Sequence, residues 1–216
     1  MDDEAKAFAQ SAIRGVFKPK EQIQALVQHV FARSDLNLLY RAEANTVANR
    51  TFQNRAAKCL SMSIMTYALA NELDFGVRFQ DIEIPEYWTI REGQSLLHGH
   101  INLQILPRSS WEHIKFFTQG TEVDFDAQIT QQHFPKTLLR LDQVVAMFHN
   151  NNGADALLKK DYVKAYAYFR AAFLQFPDLS SVLVNLGYLY RLTGHYELAE
   201  RTYLRAIKKD KNNLTA

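Results

Sequence analysis

The pattern of apolar and polar positions points first to a helix. Read as a helix from about Cys59, the stretch NRAAKCLSMSIMTYALANEL (residues 54–73) stacks Leu60, Ile64, Tyr67 and Ala68 on one broad face, with Met62, Met65 and Leu69 widening it. Such a helix is buried nearly all round and serves as the predicted spine of its domain. Before it, residues 4–17 and 20–33 read as amphipathic helices divided by Lys18-Pro19-Lys20, with Pro19 suited to a first helical turn. Ile23, Leu26, Val27, Val30 and Phe31 form the stripe of the second, and residues 42–53 read as a shorter helix.

After the spine the period changes from helix to strand. Asp74-Phe75-Gly76 reads as a turn with Gly76 as helix cap, and residues 77–84 (VRFQDIEI) as a strand ended by Pro85. Its alternation is broken, because Val77 and Phe79 are in one phase and Ile82 and Ile84 in the other. That calls for a bulge or a strand apolar on both faces. Residues 98–106 (HGHINLQIL) alternate cleanly: Ile101, Leu103 and Ile105 share one face, and His98, His100, Asn102 and Gln104 the other. Residues 111–117 and 121–125 read as two more strands, and 127–140 as a polar connection. Helices followed by four strands predict an α+β domain with an antiparallel sheet over residues 1–137.

From Leu141 every element reads as helical, giving a second, all-α domain over 138–216. Gly153 matches Gly187, Ala165 matches Ala199, Phe169 matches Tyr203 and Ala172 matches Ala206, a period of about 34 residues. With Pro177 ending the first unit, and Leu183, Leu186, Tyr190 and the turn Thr193–Tyr196 in the second, residues 146–213 resemble the tetratricopeptide family. The first helix departs from that pattern at His149, Asn152 and Ala156. The resemblance implies about two repeats and a groove that recruits a peptide or protein partner.

Composition narrows the partners. A net charge of +2 over 216 residues, with both signs mixed along the chain, argues against nucleic acid or a membrane surface as the main partner. No apolar run has the length of a membrane span, and the N-terminus lacks the basic start and apolar run of a signal peptide. The compartment stays open between the cytoplasm and, after removal of a targeting segment, the periplasm. One cysteine excludes an internal disulfide and a structural zinc site, and the seven histidines show no HExxH or other close spacing. No metal or cofactor is expected.

Candidate chemistry begins with that cysteine. At the first turn of a helix, unsatisfied N–H groups and the dipole favour thiolate over thiol. The ordinary alternative is a small buried hydrophobe. A cysteine at a helix start, a histidine on a following strand and an aspartate on the next strands form the arrangement of a thiol acyl-transfer site, here Cys59, His100 and Asp124. The segments AAKCLSMSIMTYALANEL, VRFQDIEIPEYW, GHINLQI and EVDFD resemble the bacterial transglutaminase-like superfamily, which has a papain-like core, over about residues 40–128. The resemblance implies Cys59 as nucleophile, His100 as general base and acid, and Asp124 as the carboxylate that orients the imidazole. His98 competes with His100 and Asp126 with Asp124. Gln53 and Asn102 are candidates for oxyanion or supporting contacts. The family commonly has Asn or Asp where this chain has Lys58. Two functions follow as expectations: a cysteine peptidase, amidase or transamidase acting on peptide amides, or a non-catalytic interaction scaffold that keeps the fold.

Overall fold

The structure is a computed structural model that describes residues 1–82, 88–91, 94–97, 100–107, 120–125 and 134–209; for 88–91, 94–97 and 100 it describes the backbone alone. The protein is α+β, with a small antiparallel sheet and helices at its C-terminal end. It divides into one unit of Met1–Tyr87 with Gly99–Leu139 and another of Trp88–His98 with Arg140–Ala216.

The first unit begins with α1 (Asp3–Ala12), capped by the Asp2 carboxylate, which accepts from the Ala5 N–H at 3.0 Å. The helix stops short of the predicted residue 17, and Gly15 then turns the chain at a φ of +78°. In α2 (Pro19–Phe31), Pro19 occupies the first turn, where its missing N–H costs nothing. Strand β1 (Leu39–Tyr40) pairs in parallel with β2 (Ala56–Ala57). Between them α3 (Ala48–Asn54) covers only part of the helix expected over 42–53. The residues before it dock instead on the next helix: Lys58 N–H donates to the Ala44 carbonyl at 3.0 Å and Thr46 N–H to Ser61 Oγ at 2.9 Å.

The spine, α4 (Cys59–Glu72), is buried as expected, but its faces rank differently. Met62, Met65 and Leu69 are deeply buried alongside Ser61, Ser63 and Thr66, whereas Ile64, Tyr67 and Ala68 are half-buried. Small hydroxyl residues allow close packing, a property that hydrophobicity alone does not rank. Gly76 is not the cap. The left-handed residue is Asp74, at a φ of +56°, with Asp74 N–H on the Asn71 carbonyl and Phe75 N–H on that of Ala70, both at 3.0 Å. These are the two bonds of a Schellman motif, and aspartate tolerates the left-handed region better than most residues.

Gly76 instead opens β3 (Gly76–Ile82). That strand pairs without a bulge to β6 (His100–Leu106), from Gly76 opposite Leu106 to Ile82 opposite His100. Phe79 and Ile82, on opposite faces, are both buried, so the broken alternation reflects a strand covered on two sides. The sheet order is β7 (Thr121–Val123), β6, β3, β8 (Lys136–Leu139), all antiparallel. Strand β8 corrects the reading of 127–140 as connection: an exposed edge strand needs no apolar alternation, and KTLL shows little. A further antiparallel pair, β4 (Trp88–Arg91) with β5 (Gln94–Leu97), falls with the second unit and was not anticipated. The strand expected over 111–117 lies outside the described residues.

The second unit is built mainly from two helix pairs, α5 (Leu141–Leu158) with α6 (Tyr162–Gln175) and α7 (Ser180–Leu192) with α8 (Tyr196–Lys209). Its core joins Ala156, Leu157, Ala165, Phe169, Val182 and Leu186. Within each pair a glycine meets an aromatic ring: a Cβ added to Gly153 would lie 2.4 Å from Phe169, and one added to Gly187 would lie 2.8 Å from Tyr203. The turns repeat as well. Lys160, at a φ of +59°, stands where Gly194, at +80°, stands in the second pair, and equivalent N–H groups bond equivalent carbonyls around both. Between the pairs, the buried Asn150 accepts from Asn185 at 2.9 Å. Among the described residues no helix is long and apolar enough to cross a membrane.

Candidate functional site

Cys59 is the first residue of α4, half-buried. The cap residue, Lys58, is extended and gives no side-chain cap, and the first turn holds no acidic residue. The amide groups at a helix start carry a positive potential that favours an anion at this position. Lys58 is itself buried, which is unusual for lysine, and no signal in the sequence marked it as such.

Helix α4 hands over to β3 through Leu73–Phe75, and halfway along it the Tyr67 ring meets the Phe79 ring at 5.1 Å. A helix that reaches its strand by so short a turn runs back along the sheet. At about 1.5 Å per residue its length matches that of a seven-residue strand at about 3.3 Å per residue. The N-terminus of α4 thus lies toward the end of the sheet where β3 stops at Ile82 and β6 starts at His100, since these two residues are paired. Strand β7 ends at the same side: Val123 is opposite Leu103, and Asp124 follows. One more step of that register sets position 124 across from Asn102 and diagonal to position 100, a separation within reach of long side chains.

The sheet faces divide the work. Phe79, Leu103, Ile105 and Val123 form the buried apolar face toward α4. By strand alternation, positions 100, 102 and 104 share the other face, together with position 80 across from 102. Cys59 begins the helix that packs on the Phe79 face, whereas position 100 belongs to the other face.

The other sequence candidates fall as follows. His98 and Asp126 lie outside the described residues, as does the side chain of His100. Asp124 is half-buried. Gln53 is exposed on α3, where its amide donates to the Asp2 carboxylate at 3.1 Å. Asn102 is only 2% exposed and its Oδ1 accepts no hydrogen bond among the described residues. Its cross-strand neighbour Gln80 is likewise buried with an unpartnered Oε1. Sequence reasoning passed over Gln80; its phase in β3, two residues before the apolar Ile82 on the same face, was the available signal. Unpaired buried carbonyl oxygens cost about 1–3 kcal/mol each, so this pair is a place that wants an N–H donor.

No protein-family model, curated protein or solved structure matches the chain.

Proposed function

We propose that the first unit is a thiol acyl-transfer enzyme of the transglutaminase-like, papain-like kind, acting on peptide or protein amides, and that the second is a tetratricopeptide-type array that recruits its substrate or a partner. The observation that carries this reading is topological. The start of β6 at His100 and the end of β7 before Asp124 fall at one end of one sheet, and α4, which begins at Cys59, reaches β3 by a short turn that runs it back toward that end. These are the residue types, in the order and on the elements, that such chemistry requires. For the array, the support is the repeated glycine-to-ring contact and the repeated turn.

In the proposed reaction, the Cys59 thiolate adds to the amide carbon and the first-turn amides of α4 stabilise the resulting oxyanion. The C–N bond then breaks, with the His100 imidazolium giving its proton to the departing amine. Water or an amine attacks the thioester, His100 takes the attacker's proton, and the S–C bond breaks to restore the Cys59 thiolate beside the His100 imidazolium. Asp124 holds the imidazole in the tautomer that presents a free nitrogen to Cys59.

The test is alkylation of Cys59 by iodoacetamide across pH, read by mass spectrometry. Reactivity is expected well below the ordinary thiol range of about 8.5 and to move back toward it in His100→Ala. Reactivity that titrates at the ordinary value in the native protein would sink the enzymatic reading. Turnover of a fluorogenic peptide amide, with and without a fluorescent primary amine, then separates hydrolysis from transamidation. Lys58 supports the second reading, a scaffold that keeps the fold without turnover, because it stands where the superfamily commonly has Asn or Asp. An ordinary thiol together with retained partner binding is that reading's signature.

A further inference from the structure

Within the helical unit, α6, α7 and α8 line a cleft of about 420 Å³. Its floor is apolar: Leu183 and Leu186 of α7 are buried, and Phe173 of α6 lies beside them. Leu174 of α6 and Leu198 of α8, both exposed, also line it. Around this floor stand Arg170, Arg201 and Arg205, and among the described residues no acidic side chain lines the cleft.

The three arginines differ in state. Arg205 lies 5.0 Å from the Phe173 ring and donates to the Pro177 carbonyl and to Asp178, whose other oxygen takes Lys209 at 2.7 Å. It is held in place and partly neutralised. Arg170 of α6 and Arg201 of α8 form no hydrogen bond or ion pair among the described residues. Tyr190 adds a hydroxyl whose pKa is pushed up by burial and by its neighbour Tyr166.

We propose that this cleft binds an acidic peptide segment carrying a leucine-sized or aromatic anchor. The buried leucines take the anchor, and the unpaired guanidiniums on either side take carboxylates, for which their planar fork is suited. A bare anion would leave the apolar floor unused, and a neutral peptide would leave two arginines facing it uncompensated. The two free arginines sit on different helices, so the charges they select are spaced along a chain and not gathered on one group. The site is formed by the second helices of both pairs over α7, and it does not depend on the acyl-transfer reading of Cys59.

The experiment uses the full chain and a fluorescently labelled, amidated heptapeptide of alternating glutamate and leucine, followed by anisotropy. Saturable binding is expected. It should weaken at least about ten-fold in the Arg170→Glu/Arg201→Glu double variant with the thermal midpoint retained. The milder Arg170→Gln and Leu198→Ser should each weaken it by about three- to five-fold, and Cys59→Ala should leave it unchanged. The proposal is overturned by equal binding of the glutamine version of the peptide, or by unchanged binding to the double variant. It is equally overturned if inorganic phosphate displaces the peptide at matched concentration. Concentration-dependent dimerisation that the double variant abolishes would also overturn it, because the occupant would then be a second copy of the chain.

Discussion

Where the helical unit repeats one contact at a fixed interval, the sheet unit uses each contact once. Gly153 against Phe169 and Gly187 against Tyr203 are the same close approach made twice, and the turns at Lys160 and Gly194 are the same turn made twice. In the sheet unit, by contrast, β3 is covered on both faces and flanked on both sides by unlike partners, and α4 buries serines and a threonine among its methionines. Repetition spreads stability evenly along a chain and leaves its surface open for partners. A singular packing can gather the ends of several elements at one place, which is what chemistry needs.

The difference can be tested from both sides. Cys59→Ala should lower acyl transfer by at least about 10³-fold, since residual catalysis over water comes only from binding and oxyanion contacts. Its thermal midpoint should hardly move, because the side chain is half-buried. An equal loss of stability and activity would show that Cys59 is ordinary packing. In the helical unit the reverse is expected. Phe169→Ala should cost about 3–5 kcal/mol in urea denaturation while leaving Cys59 alkylation unaltered. Gly153→Ala should cost about 1–3 kcal/mol, because the Phe169 ring it strikes is fully buried and cannot retreat. Gly187→Ala should cost less, since Tyr203 is only half-buried and can swing away. Equal costs would mean that the two pairs are packed alike. Lys160→Gly should stabilise by about 0.5 kcal/mol. Relief of the left-handed strain, about 1–2 kcal/mol, outweighs the extra freedom glycine gives the unfolded chain. The smallest effect concerns Asp178, whose pKa is lowered from 3.8, chiefly by its hydrogen bond to Lys209. Its contribution to stability is present above pH 3.8 and lost as pH falls through the depressed folded value. Lys209→Ala should move the Asp178 titration, followed by NMR, back up toward the ordinary value.

The same contrast explains what could be read from sequence. The 34-residue matches named the glycines and rings that touch, because a contact made twice leaves two traces. The spine helix was legible in its extent, Cys59 to Glu72, from apolar density alone. Its deepest face was not, since Ser61, Ser63 and Thr66 carry no hydrophobic signal. Strand β8 was missed because an exposed edge strand is specified by its neighbour and not by its own alternation. Asp74 was missed as a helix cap because glycine two residues later was the stronger cue, and that glycine turned out to open a strand. At the candidate site, Cys59, His100 and Asp124 were nameable as types in order. Gln80 was not, because its only mark is a partner across the strand, and pairing is invisible until register is known.

Strand β8 has a further consequence, for the order of events as the chain emerges during synthesis. β3 needs a strand on each side, and the second of these arrives only when Phe79 can meet Leu139. Until then one of the two inner strands of the sheet shows an unpaired ladder, the kind of edge on which chains pair wrongly. The helix pairs close within a few dozen residues of their own start, at the low contact order that folds fast. The sheet unit is therefore the slow part of this molecule to form, even though it leads the chain, and residues 136–139 are the latch that ends its exposure.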